Sequence, residues 1–324
     1  MRRATTYVVA AAVMVGASAG LAFGGAGNDG ERRGGFDFAL IGDMPYRPSD
    51  DVKLDRVVED INDDHIDFTI HVGDIKSGSS RCDDPVYQHE FARMESFQDA
   101  LIYTPGDNEW TDCHRLAAGA YDPLERLGFL RSVFFADPDS SLGQRELDLE
   151  FQSEEYPENA RWERGRVTFA TLHVVGSNNN RPAPTNPVGN EAEFQARNQA
   201  NLDWLEETFD LAAEDGSIGV VLAVQANMFE DDIHTPSGFD EFLDALRSEV
   251  LAFGGPVVLV QGDSHYFRID KPLLDAAGQT IETFTRVEVF GDRNVHWVRG
   301  TLDPGDEGVL RFDDQIVEAN VLPH

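Results

Sequence analysis

The chain has 324 residues, 41% of them hydrophobic, with 59 acidic against 26 basic residues and a formal net charge of −33. That length holds one large domain or two small ones with a proper core. So negative a surface argues against nucleic acid and anionic membranes as partners, and the scatter of its acids fits solubility rather than a disordered tail.

In chain order, Arg2 and Arg3 precede the apolar stretch TYVVAAAVMVGASAGLAF, with small-residue cleavage options near Ala19 or Ala22. This pattern predicts a signal peptide over 1–22, with an uncleaved anchor as the second reading. A Gly-rich connector, 23–35, leads into a domain spanning 36–324. No later segment is long and apolar enough to span a membrane, so the expected mature protein is exported, periplasmic or extracellular.

FDFALIG (36–42) reads as a buried strand, and 52–61 as a helix with Ser49 and Asp50 as cap candidates. Strand IDFTIHVG, helix VYQHEFARMESFQ and strand ALIYTPG follow, an order that predicts a mostly parallel sheet with helical crossovers. The two cysteines, Cys82 and Cys113, flank the third strand. In an exported chain they suit one disulfide; two thiolate metal ligands are the weaker alternative, since neither has zinc-site spacing. YDPLERLGFLRSVFF is helical in period; RELDLEFQ and RWERGRVTFATLHVVG are extended. The Pro-rich loop SNNNRPAPTNPVGN is long enough to suggest function. A long amphipathic helix over 191–213 precedes strand SIGVVLAVQAN, a helix with Ser237 as N-cap, and strand PVVLVQG. The tail segments ETFTRVEVF, NVHWVRGTL and GVLRFD alternate in period two, as an antiparallel meander would. The whole reads as one α/β domain with an antiparallel portion.

Five strands end in polar signatures: IGDMPY, VGDIKSG, TPGDNEW, VQANMF and QGDSHYF. Four place an aspartate just past the strand, Asp43, Asp74, Asp107 and Asp263. Such carboxylates, gathered at the strand ends of an α/β sheet, repel one another unless cations neutralise them, which points to a divalent metal.

This ordered set, from Phe36 to Trp297, resembles the calcineurin-like metallophosphoesterase superfamily with its motifs D-x-H, GD, GNHE, a strand-end His and GHxH. The nearest echo is to purple acid phosphatases, in the stretches around Gln225 and GDSHYFR. The resemblance implies a four-layer α/β/β/α sandwich of two mixed sheets, two metals bridged by an aspartate, and hydrolysis of phosphate mono- or diesters by metal-activated water. Asp43 and Asp74 match the first metal-binding and the bridging aspartates. Pro45 stands where the D-x-H histidine belongs, Asp107 replaces the asparagine of GNHE, and Asn108 replaces its catalytic histidine. Gln225 stands at the strand-end histidine and Asp263 at the first histidine of GHxH, while His265 keeps the second.

The implied metal ligands are therefore Asp43, Asp74 and His265 at one position and Asp74, Asp107, Gln225 and Asp263 at the other. Asp74 and Asn108 carry the chemistry, Asn108 orienting rather than protonating. One or two ions are expected, and so oxygen-rich a set favours Mg²⁺, Mn²⁺ or Ca²⁺ over Zn²⁺. Four aspartates against two divalent ions leave no positive excess, which predicts weak phosphate binding or a single metal. Lys76 or Arg268 pairing with the aspartates would instead give a metal-free core. Asn178 and Arg181 in the polar loop are candidates for substrate contact. His71 and His173 read as structural and His114 as a solvated loop residue; His234 overhangs the cleft only on a minor reading. Glu109 is expected to tie down its own turn, and Trp110 and Tyr46 to be core or pocket wall. The expected partner is a small phosphate ester. The alternatives are an impaired or inactive binding or scaffold protein on the same fold, and a hydrolase of non-phosphate esters.

Overall fold

The computed structural model describes residues 7–10, 35–184, 186–230, 236–303 and 308–321. Most of the leader-like stretch 1–22, the connector to residue 34, and His234 lie outside these.

The first half runs β1 (Tyr7–Ala10), β2 (Phe36–Ile41), α1 (Pro48–Asn62), β3 (Phe68–His71), α2 (Asp84–Met94), β4 (Ala100–Tyr103) and α3 (Pro123–Phe134). There follow β5 (Glu150–Ser153), β6 (Tyr156–Arg164), β7 (Val167–Thr171), a short turn α4 (Gly176–Asn179), α5 (Glu191–Glu214), β8 (Gly219–Ala223), α6 (Asp240–Phe253) and β9 (Val257–Gln261). The last strands are β10 (Arg268–Asp270), β11 (Phe284–Glu288), β12 (Trp297–Leu302) and β13 (Gly308–Gln315).

These strands form two mixed sheets, one ordered β1-β13-β12-β2-β3-β4 and the other β10-β11-β9-β8-β7-β6-β5. The parallel strands β2, β3 and β8, β9 are apolar runs buried on both faces, as a covered parallel sheet requires. The sheets pack face to face through an aromatic seam. Phe38 of β2 and Phe68 of β3 meet Phe169 of β7 edge-on at 5.4 and 5.2 Å, and Phe68 meets Trp162 of β6 at 5.6 Å. Full burial of each such ring stabilises by about 1.5–3 kcal/mol. Leu54, Val57, Tyr87 and Leu130 of α1–α3 join this core from one side. Trp204, Phe209, Phe242 and Leu246 of α5 and α6 cover the outer face of the second sheet. The layering is α/β/β/α, as expected.

Three local expectations are corrected. Helix α1 begins at Pro48 without a side-chain cap, because proline's missing N–H suits the first turn; Asp50 instead accepts from Lys53 at 3.0 Å. Ser237 lies before α6, whose first residue is Asp240, and its hydroxyl accepts from Phe239 N. The tail is not one meander. β11 runs parallel to β9 in the second sheet, whereas β12 and β13 pair antiparallel in the first.

Candidate metal centre

The carboxyl ends of β2, β3, β4, β7, β8 and β9 open onto one site. Asp43 and Asp74 leave β2 and β3, and Asp263 and His265 leave β9, all in left-handed backbone with φ of 54°, 58°, 79° and 58°. Aspartate tolerates this region better than most residues, and such outliers gather where surrounding structure over-determines them. Each strand thus turns sharply and aims its side chain back over the sheet edge.

Asp43, Asp74 and His265 offer ligand atoms that all lie within 4.8 Å of one another. Asp43 is held by the Asp263 amide, which donates to both its oxygens at 3.1 and 3.0 Å. Asp74 accepts from the Asn108 amide at 3.1 Å, from Asn108 Nδ2 at 2.7 Å and from the Tyr46 hydroxyl at 2.7 Å. Asn108 Nδ2 also reaches Tyr46 Oη at 2.9 Å, and His265 Nε2 lies 3.1 Å from the same oxygen. Tyr46 therefore stands in the middle of the group, its ring edge-on to His265. The sequence suggests core or pocket wall for Tyr46, and its place three residues after Asp43 is the available signal for more.

Asp107, Asp263 and Gln225 stand beside this set. One oxygen of each carboxylate is engaged: Ser177 Oγ donates to Asp107 Oδ2 at 2.6 Å, and Asn227 N to Asp263 Oδ2 at 3.0 Å. Their Oδ1 atoms face the bare Cα of Gly176, where a Cβ would stand 3.0 Å from each. Gln225 Oε1 accepts from Gly176 N at 2.6 Å, and its buried Nε2 has no hydrogen-bond partner.

The electrostatics follow from burial. Asp43 is pushed well above the usual carboxylate range by burial and by Asp263, and Asp74 by burial, Asp107 and Glu109. Burial and Asp107 push Asp263 up to about 7 and Asp112 up to about 8. Burial lowers His265, favouring neutral imidazole, the form that ligates metal. Buried carboxylates around a neutral histidine suit a divalent cation, and the donors Asp43, Asp74 and His265 fit one.

Of the two cations weighed as replacements for a metal, Arg268 pairs with Glu288 at 2.6 Å. Lys76 is buried, donates to the Ser77 carbonyl at 3.0 Å and stays in the field of Glu109, Asp74, Asp112 and Asp107. Glu109 ties its turn together, accepting from Ile75 N, Gly106 N and Tyr103 Oη. Cys82 and Cys113 form a disulfide whose sulfurs both lie 3.8 Å from the Asn108 carbonyl oxygen, pinning that turn from below. His71 Nδ1 accepts from Gly73 N, His173 pairs with Glu158, and His114 Nδ1 lies 2.6 Å from the Thr111 carbonyl.

In the polar loop, Ser177, Asn178, Asn179 and Asn180 are all left-handed, with φ of 49° to 59°. The turn sends Ser177 to Asp107 and turns Asn178 and Arg181 away from the carboxylates. Asn178 is fully buried and bonds the carbonyls of Arg181 and Pro236 and the amide of Gly238. Arg181 donates to the Ser237 carbonyl at 2.7 Å. The run of asparagines, which accept left-handed backbone, was the signal for this turn.

No family model and no curated protein matches the sequence. Among solved structures, the chain is similar to GAP50, the anchor in the inner membrane complex of Plasmodium, at 7% identity and a TM-score of 0.50, covering 88% of this chain and 90% of that one. At that identity the likeness shows the fold alone. Among the described residues no helix is long and apolar enough to cross a membrane.

Proposed function

We propose that the chain is an exported, metal-dependent phosphoric ester hydrolase of the calcineurin-like metallophosphoesterase kind. The observation that carries this is the convergence of Asp43, Asp74 and His265 from three strand ends, with Asn108 hydrogen-bonded to Asp74. Hard oxygen donors favour Mg²⁺, Mn²⁺ or Ca²⁺ there over Zn²⁺. When bound, such an ion supplies Lewis-acid polarisation of the ester and activation of water. The residues do the rest. Asp43 and Asp74 set the charge of the site; Asn108 fixes Asp74 and orients the ester rather than protonating it; Tyr46 keeps its proton at Oη, since burial and Asp74 raise it well above an ordinary phenol. The second position, with Asp107 and Asp263 facing across Gly176 and the Gln225 oxygen engaged, is the weaker of the two.

A second reading has its own support. Asp74 already accepts three hydrogen bonds within the chain, and the fold is shared with a protein described as an anchor, so a binding or scaffold protein on this fold is the alternative.

Elemental analysis of the purified protein, titration with Mg²⁺, Mn²⁺, Ca²⁺ and Zn²⁺, and assays on aryl phosphate mono- and diesters separate the two. Asp74→Asn is expected to weaken metal binding by more than about 100-fold, beyond what loss of an outer-shell partner costs, and to remove turnover. A folded wild-type protein with neither metal binding nor turnover sinks the hydrolase and leaves the scaffold.

A further inference from the structure

Among the described residues, β1 and β4 end one sheet and β10 and β5 end the other. An edge strand presents a row of backbone N–H and C=O groups that pair with another chain unless something covers, shortens or interrupts it. β10 and β5 are three and four residues long. Leu142 already pairs with Leu101 of β4 in both directions, at 2.7 and 2.9 Å. β1 is also four residues, but it covers β13, which runs eight residues from Gly308 to Gln315.

β1 belongs to the stretch 1–22 that the sequence marks as a cleavable leader. It runs antiparallel to β13, with Tyr7 opposite Phe312, Val8 opposite Arg311 and Val9 opposite Leu310. The outer side of β13 therefore accepts an antiparallel strand without obstruction. Cleavage near Ala19 or Ala22 removes that strand and leaves β13 as the longest edge of either sheet. Leu310 and Phe312 are fully buried in the core. Arg311 and Asp313 alternate with them on the other face, their side chains 41% and 22% exposed and 3.3 Å apart.

We infer that, once the leader is removed, β13 pairs antiparallel with β13 of a second copy and joins the first sheets of the two molecules. This stands on the export reading and is independent of any catalytic activity. A two-fold pairing centred on Phe312 sets Arg311 opposite the second copy's Asp313, and Asp313 opposite the second copy's Arg311. The same patch is used twice, so the attractive pair occurs twice. Opposite charges directly across an antiparallel pair stabilise it, and like charges weaken it. The same register brings Ile316, 45% exposed just past the strand, opposite the second copy's Gly308. The net charge of −33 repels a second copy at long range, but screening confines that repulsion to about 10 Å at ~0.1 M salt. At the edge itself the charges match. While the chain carries its leader, β1 occupies this edge and withholds it.

The test exports the protein from a host cell, reads its N-terminus by mass spectrometry and follows its mass by sedimentation equilibrium across a dilution series. Wild type, Arg311→Asp, Asp313→Arg and an equimolar mixture of the two variants are compared. Wild type that begins beyond residue 10 should dimerise with rising concentration. Either variant alone should bind itself roughly 10- to 30-fold more weakly, because two attractive cross-strand pairs become repulsive, with an unchanged circular dichroism spectrum. The mixture should recover association, since opposite charges again face each other across the seam; a role within one chain gives no such rescue. Arg299 of β12 also stands opposite Asp313, so Asp313→Arg can lose stability, and a second measurement covers that case. Arg311→Cys mixed with Asp313→Cys should form an intermolecular disulfide far faster than either variant alone, the native cysteines being joined to each other. Processed wild type that stays monomeric at every concentration overturns the proposal, as does an exported product that still carries residues 7–10. So does a dimer that neither charge variant weakens, or mixtures that give neither rescue nor cross-link.

Discussion

Each carboxylate of the centre is pressed against backbone that has no side chain of its own. Gly106 is the tightest case: a Cβ there would lie 2.1 Å from Asp74 Oδ1 and 2.6 Å from the Asp74 amide. Backbone cannot yield as a flexible side chain can. Gly106→Ala is therefore expected to cost about 1–3 kcal/mol of stability and to lower metal affinity by displacing Asp74. Chemical denaturation and metal titration on the same variant measure both. An alanine tolerated with unchanged affinity would show that Asp74 is less tightly seated than its contacts imply.

Among the elements, the tie between β6, β7 and α3 is ionic and buried. Glu158 of β6 bonds His173 Nδ1 at 2.6 Å and accepts from Arg131 of α3 at 2.6 and 3.0 Å, with Glu158 and His173 both fully buried. Burial alone would raise Glu158; His173 and Arg131 more than offset it and hold the carboxyl down to about 2. An acid whose pKa is lowered by folding stabilises the protein above its unfolded value near 4.5, and that stability is lost as pH falls through the folded value. Burial holds His173 itself below the usual imidazole value, so at neutral pH Arg131 supplies the positive charge beside Glu158. Glu158→Gln should therefore lose stability at neutral pH, and its urea midpoint should vary less than wild type's between pH about 5 and 2. A variant whose acid dependence matches wild type's would remove Glu158 from the account.

For the molecule as a whole, a formal charge of −33 makes self-repulsion a standing cost. Local pairing relieves part of it, as where Arg93 of α2 gathers Glu90, Asp51 and Asp55. Raising salt from ~0.1 to ~1 M shortens the Debye length from about 10 to about 3 Å. The melting temperature should rise with NaCl, by roughly 2–4 °C for each kcal/mol of repulsion screened. A fall would mean that the surface ion pairs outweigh the repulsion.

The sequence by itself determined the alternation of strands and crossover helices, the four aspartates at strand ends, and a cysteine pair suited to one bridge. These are local properties. An apolar run stopped by Gly-Asp ends a strand wherever that strand sits, so the positions of Asp43, Asp74, Asp107 and Asp263 were legible without any long-range contact. Tertiary structure decided the rest. β11 joins β9 while β12 joins β2, because each alternating strand can pair with either sheet and only packing selects one. Ser177, not Asn178 or Arg181, reaches Asp107, because four successive left-handed residues reverse which side chains face the cleft. Tyr46 enters the carboxylate group for a like reason: where it points depends on a turn closed by contacts distant in sequence.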